Sequence, residues 1–186
     1  MLVNPIIAKK LLELSGPTKL DVGDVLTNEV MRRVAGTLVG RQFDMLRLSS
    51  SSISTITASA DVSADLTTPL KAATNYMVLW MIQYATAATT TGLRVALNYS
   101  GGTLNSILYG IFGATAAAAM QSAVTGTNDG LLGAAGVGPG STTVVELLYG
   151  IVRTTTAGTL AARFASGVAA SSVTIGPNTH MLVIQQ

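Results

Sequence analysis

The chain has 186 residues, of which 48% are hydrophobic and only 11% are charged, and it contains no cysteine. This length suits one compact domain with at most a small extra segment, since domains commonly hold about 100–200 residues, and the hydrophobic content excludes a chain that is disordered by composition. The absence of cysteine excludes disulfide frameworks, iron–sulfur clusters, thiolate zinc sites and cysteine nucleophiles.

The charges are few and nearly balanced, with a net charge of +2. Phosphate binding needs clustered Lys and Arg, so we expect no nucleic-acid partner. A soluble monomer carries about 25% charged residues, and less than half of that fraction indicates that a membrane or other proteins cover part of the surface. The densest apolar run, Met77 to Ile82, is far shorter than the roughly 20 residues of a spanning helix. We therefore expect protein neighbours and no membrane contact.

The charged residues are concentrated at the start of the chain. Residues 1–47 hold 12 of the 20 charged side chains, and a polar run from Ser49 to Ser54 follows them. This change of composition predicts a boundary near residue 48. We expect residues 1–47 to form an N-terminal anchoring segment and residues 48–186 to form a separate domain.

The first predicted element is a short amphipathic helix. Asn4 and Pro5 are typical of a helix start, and Gly16-Pro17 is typical of a helix end. About ten residues are only marginally helical in isolation, so the apolar face needs a surface to pack on. That surface is either the chain's own domain or a partner in an assembly, and the second interpretation makes the apolar residues candidates for anchoring the chain. These residues are Ile6, Ile7, Leu11, Leu12 and Leu14.

From residue 52 onward the pattern is that of β-structure. Short runs rich in Thr, Val, Ile and aromatic residues alternate with Gly, Ser, Asn and Pro clusters, which predicts a β-sandwich or jelly roll. The predicted strands are Ile53–Ala60, Asn75–Tyr84, Leu93–Asn98, Ser106–Phe112, Thr143–Arg153, Thr159–Ala165, Ser172–Ile175 and Met181–Ile184.

The predicted strand from residue 75 to 84 is apolar on both faces. It must therefore be covered on both, one face by its own core and the other by a further protein surface. We expect a subunit interface there, with Trp80, Met81 and Tyr84 as the large anchors. The candidate interface residues are Tyr76, Val78, Trp80, Ile82 and Tyr84.

Two later segments are less regular. The alanine-rich stretch from Ala114 to Ala123 is helical by propensity, although a β connection with one helical turn fits equally well. Asn128-Asp129-Gly130 predicts a turn, and residues 133–141 predict a flexible or tightly turned loop.

No pattern in the chain predicts an enzyme. The glycine-rich residues 136–142 lack the Lys of a phosphate loop and lead into a predicted strand. His180, the only histidine, cannot build a zinc site without cysteine, and no nucleophile-elbow pattern accompanies it. Glu146 lies in an apolar strand and is predicted to be structural, with Arg94, Arg153 or Arg163 as its partner. We expect no catalytic residue, no metal and no cofactor.

Three segments resemble virion proteins of tailed bacteriophages. The stretch Tyr84–Asn98, in which an aromatic strand leads through a Thr/Ala-rich turn into Gly92-Leu93-Arg94, resembles the core motif of their β-sandwich domains. The stretch Gly158–Ile175 resembles the closing hairpin of these domains. The stretch Val22–Gly40 resembles the linker module that precedes them in fibres and appendages.

The resemblance implies an all-β, jelly-roll-like sandwich that is homotrimeric, lies on the virion and follows a short N-terminal helix and linker. The absence of a long repetitive shaft favours a capsid decoration or short head appendage, attached to other virion proteins through residues 1–47. The alternative is a tail or baseplate appendage that binds a host receptor or glycan. For that alternative, the candidate receptor loop holds Asn128, Asp129 and Ser141.

Overall fold

The computed structural model describes residues 29–34, 37–116 and 119–186, with side chains from residue 41 to 113 and from 122 to the end. The chain divides into two compact units, Met1–Phe43 and Asp44–Gln186. The predicted N-terminal helix lies outside the described residues, as do the anchoring candidates Ile6, Ile7, Leu11, Leu12 and Leu14.

The described part of the first unit is a β-hairpin. Strand β1 (Glu29–Val34) pairs antiparallel with β2 (Thr37–Arg47), with Glu29 opposite Gln42. The last residues of β2, from Asp44 onward, belong to the larger unit.

The larger unit is built from short and medium strands. Among the described residues it contains no α-helix, only a single 3-10 turn at Ala64–Leu66, which Ser63 caps by accepting from the Asp65 backbone N–H. The strands are β3 (Ser52–Ser54), β4 (Ala60–Asp61), β5 (Thr67–Leu70), β6 (Asn75–Thr86), β7 (Leu93–Ser100), β8 (Leu104–Ala116), β9 (Ala119–Thr125), β10 (Val144–Thr154), β11 (Gly158–Ser166), β12 (Val173–Ile175) and β13 (His180–Gln185). No helix in the described part of the chain is long and apolar enough to cross a membrane.

The predicted all-β fold is confirmed, with two local differences. The predicted strand from Ile53 to Ala60 is shorter, since β3 ends at Ser54 and β4 begins at Ala60. The alanine-rich stretch is not helical where it is described. It forms the hairpin of β8 and β9, with Phe112 opposite Ser122, because ladder pairing with a long strand outweighs the helix propensity of alanine.

The two sheets have different orders. In the larger sheet five strands run in the order β13, β6, β10, β8 and β9. Strand β12 also pairs with β6, further along that strand than β13 does, and β3 pairs with β12. In the smaller sheet β11 is central, with β7 along one edge and β4 and β5 along the other. Neighbouring strands in both sheets are antiparallel.

The hydrophobic core lies between these sheets, as in a β-sandwich. From the larger sheet, β6 and β8 contribute the largest aromatic side chains, including Trp80 and Tyr109, which are at most 1% exposed. From the smaller sheet, Val95, Leu97 and Phe164 face them. Alternate residues of each strand point inward, so every strand also presents a second set of side chains outward.

Residues 128–140, which we call the edge strap, run along β7. The backbone N–H of Asp129 donates to Leu97 O over 2.9 Å, and Leu132 and Val95 exchange two bonds of 2.8 Å. At the far end, Gly138 N donates to Thr89 O. The strap therefore covers a sheet edge that would otherwise expose unpaired backbone groups. The predicted turn at residues 128–130 is present, and the segment after it is an ordered strap.

The strap requires glycine where two backbones meet. A Cβ at Gly138 would lie 1.8 Å from Thr91 O, which no real side chain tolerates. The glycine-rich composition of this segment thus reflects close backbone approach as well as turning.

Candidate functional site

The candidate site is the face of the larger sheet that points away from the core, which we call the outer face. On β6 buried and exposed residues alternate strictly from Asn75 to Ile82. The antiparallel register aligns the outward residues of all five strands into rows across the sheet. One such row is Leu182, Leu79, Tyr149, Gly110 and Val124.

The outer face is apolar. Among the described residues, fourteen large hydrophobic side chains are exposed, and nine of them lie on this face, which is a concentration rather than the scatter normal for a surface. Their exposed fractions run from 37% for Leu79 to 60% for Val124. The nine are Met77, Leu79, Met81, Leu108, Phe112, Val124, Val145, Tyr149 and Ile151.

The shape of the outer face depends on a glycine at its centre. Gly110 points outward between Tyr149 and Val124, and a Cβ there would lie 2.9 Å from the Tyr149 Oη. The Tyr149 side chain lies over this glycine, and a depression of about 440 Å³ beside it is lined by residues that include Met77, Leu79 and Tyr149. A second depression of about 320 Å³ lies between Leu79 and β13. The two share Leu79, so the relief is continuous across the face.

Charge is nearly absent from the outer face. Among the outward residues described on its five strands, Arg153 at one end is the only Lys, Arg, Asp or Glu, and His180 lies at the start of β13. At the other end the apolar surface gives way to a depression of about 290 Å³ lined by uncharged polar groups such as Gln83, Thr174 and Asn178. An apolar centre with a polar margin is the usual composition of a protein interface.

The outward face of the smaller sheet is different. The Arg163 guanidinium lies 3.0 Å from Asp61 Oδ1 through Nε and 2.6 Å from Asp129 Oδ2 through Nη1. Ser59 Oγ also donates to Asp129 Oδ2 over 2.7 Å. This face is closed by polar contacts within the same domain.

The five predicted interface residues require a correction. Tyr76, Val78, Trp80, Ile82 and Tyr84 are at most 1% exposed and belong to the domain's own core. The strand is apolar on both faces, so its sequence does not show which alternate set points inward; the set with the larger aromatic residues fills the core. The interface candidates on β6 are therefore the other set, which is Met77, Leu79 and Met81.

The candidate receptor residues do not lie together. Asn128 accepts from Tyr99 N over 2.8 Å and donates to Tyr99 O over 3.0 Å, while Asp129 holds Arg163. Ser141 is exposed and follows Gly140, which bonds to Thr86 at the opposite end of the strap. Asn128 and Asp129 thus fix the strap to the sandwich, and a role of these residues in receptor binding stays a prediction.

The buried carboxylate of Glu146 has a partner that the sequence did not indicate. Tyr84 Oη donates to Glu146 Oε1 over 3.2 Å inside the core. Burial raises the pKa of Tyr84 far above its usual range, and the neighbouring carboxylate adds to this shift. Of the three arginines predicted as partners, Arg163 pairs with Asp61 and Asp129 instead. Arg153 points to the outer face.

The described residues contain no cluster of three or more His, Asp or Glu side chains that could hold a metal ion. The His180 ring is half-buried, and its Nδ1 lies 2.9 Å from the Asn178 carbonyl oxygen, a contact made at the start of β13. What the outer face offers is an apolar surface suited to association.

No protein-family model and no curated protein matches the chain. Among solved structures, it is similar over 84% of its length to the infectious bursal disease virus VP2 subviral particle, with 7% identity, a TM-score of 0.24 and 43% of that chain covered. The Gx strain of the same virus gives 9% identity and a TM-score of 0.26 at the same coverage of both chains. A family two carbohydrate esterase from Cellvibrio japonicus is 10% identical over 75% of this chain and 35% of that one, with a TM-score of 0.24. The chain spans less than half of each of these structures, and we take neither fold nor function from them.

Proposed function

We propose that this protein is a non-enzymatic structural component of a tailed-phage particle, a homotrimeric capsid decoration or short head appendage that is attached through its N-terminal segment. The observation that supports this most is the outer face. A surface of this kind on a protein that works alone would promote aggregation, so a permanent protein neighbour is the simplest reason for its presence.

The size of the outer face supports a stable neighbour. Five strands about 4.8 Å apart, over about seven residues that each rise 3.3 Å, give an area of roughly 550 Å² per subunit. Three such surfaces in a trimer together give roughly 1,650 Å², a total comparable to the area that a standard-size specific interface buries. Burial of apolar area on this scale is a strong driving force for association.

The distribution of charge supports a proposal in which two parts of the chain contact different partners. Residues 1–47 carry 12 of the 20 charged side chains, and the domain that follows is poor in charge. In this proposal the charged segment contacts a different virion protein, while the β-sandwich contacts its own copies.

The test is incorporation into particles. A chain that lacks residues 1–16 should fold its β-sandwich, measured by circular dichroism and thermal unfolding, and yet be absent from purified particles by quantitative mass spectrometry. Full incorporation of the truncated chain would contradict the anchoring role. A reconstruction that places the full chain on the tail would replace the head location, and turnover of polysaccharide by the purified protein would contradict the non-enzymatic role.

A further inference from the structure

We infer that copies of this chain meet through the outer face, with β10 at the centre of the contact. This inference rests on the proposed structural role and names the partner for the surface that supports it. Strand β10 is the middle strand of the five, and its outward residues Val145, Tyr149 and Ile151 are about half exposed.

The electrostatics of the face favour a second copy over a different protein. When copies of one surface meet around a symmetry axis, a charge close to that axis meets its own copy or is buried without a partner, and both cost free energy. The outward residues between Met77 and Gln83, and those opposite them on the four neighbouring strands, include no Lys, Arg, Asp or Glu where side chains are described. The central part of the outer face can therefore pack against other copies without this penalty.

The relief of the face also suits a second copy. The depression at Gly110 is flanked on β8 by Leu108 and Phe112, each 53% exposed. A face that carries both a depression and projecting side chains can fill its own depressions when copies meet. Met77 and Met81 border the same region, and their flexible thioether chains adapt to irregular gaps.

The polar margin agrees with this arrangement. Gln83, Thr174 and Asn178 can exchange hydrogen bonds with water at the rim while the apolar centre is dry. The outward side of the smaller sheet, where Arg163 is held by Asp61 and Asp129, is polar and is left free to face solvent.

The test introduces one charge at the centre of the face. Ile151→Glu puts a carboxylate on β10 at a position that is 47% exposed in the isolated subunit, so the subunit itself should still fold. In the assembly that carboxylate would be buried among apolar side chains, a cost that Arg153 at the end of β10 offsets only in part, and association should weaken by at least about 100-fold. Ser100→Glu, at the exposed end of β7 on the other sheet, is the matched control.

The measurement is the molar mass of the full chain by light scattering over a range of concentrations, with circular dichroism to confirm folding. The expected result is a trimer for the natural chain and for Ser100→Glu, and a folded monomer for Ile151→Glu. A second substitution, Leu108→Glu, should dissociate the assembly in the same way, so that misfolding of one variant does not decide the outcome.

The outcomes separate this inference from the proposed function. If Ile151→Glu and Leu108→Glu both fold and both remain trimers, the inference is overturned, while the proposed homotrimer is not contradicted. A natural dimer that these variants dissociate would support the inference and contradict the homotrimer. A natural chain that stays monomeric at all concentrations would overturn both.

Discussion

The two sheets of the sandwich present opposite kinds of surface to the outside. On the smaller sheet, Arg163 is enclosed by Asp61 and Asp129, and the small residues Ala96 and Ala165 are fully buried on the outward side, so the domain closes this face itself. On the larger sheet, apolar side chains from five strands remain exposed. Among the described residues, the outward side of the larger sheet is therefore apolar and poor in charge, whereas the outward side of the smaller sheet carries paired charges.

The difference between the inner and outer sides of the larger sheet is clearest on β6, where one of two adjacent residues lies in the core and the other lies on the outer face. Trp80→Ala should lower the free energy of unfolding by about 3–5 kcal/mol, because it opens a cavity in the core. Leu79→Ala should change it by about 1 kcal/mol or less, since the side chain is already 37% exposed. Urea unfolding measures both, in the Ile151→Glu background so that association does not contribute. Equal losses from the two substitutions would contradict the assignment of inner and outer faces.

A smaller effect is expected where the smaller sheet is closed by the edge strap. Gly138→Ala should cost about 1–3 kcal/mol, because the new Cβ would lie 1.8 Å from Thr91 O and the backbone must shift. Gly136→Ala is the control within the same strap, since a Cβ there meets nothing within 4 Å. Thermal unfolding should therefore separate the two variants, and equal stability would show that Gly138 does not pack closely on the segment before β7 as described.

The smallest effect concerns pH. The Ser49 hydroxyl and backbone N–H donate to Asp65 Oδ2 at the entry to the smaller sheet, and these bonds hold the pKa of Asp65 below its ordinary value of 3.8. Because the folded-state pKa is depressed, the stabilisation is present above the ordinary value and is lost as pH falls through the folded-state value. Ser49→Ala should move the Asp65 pKa upward, toward 3.8, in a carbon-detected NMR titration. An unchanged titration would contradict the role of the hydroxyl. Self-association should not depend on the protonation of Asp65, because Asp65 does not lie on the outer face.

Much of the fold was predictable because the alternation of apolar residues in strands and the residue preferences of turns are local properties of the sequence. The alternation in Leu93–Asn98 and the turn at Asn128-Asp129-Gly130 both appear where the sequence places them. The hairpin of β8 and β9 was ambiguous, since the alanines between Ala114 and Ala123 favour helix while strand pairing depends on β10, 30 residues further along the chain. Short strands such as β4 and β5 exist only because β11 pairs with them.

The candidate site was predictable only in part. The sequence showed that the run around Trp80 is apolar on both sides, but Tyr76 and Met77 are equally plausible as inner residues until the opposite sheet is present. Gly110 gave no signal at all, because its importance comes from its position beside Tyr149 across the ladder to β10. Glu146 was recognised as unusual, and its partner Tyr84 became evident only from the register of β6 and β10.

The most direct test of the central claim is the reactivity of single cysteines, since the natural chain has none. Ile151→Cys and Ser100→Cys each place a unique thiol at a position that is exposed in the isolated subunit. We expect that, at concentrations where the chain is assembled, a maleimide labels Cys at position 151 at least about 10-fold more slowly than Cys at position 100. The reason is that the outer face is then covered. Equal labelling rates in the assembled protein would contradict the claim that copies of this chain meet through the outer face.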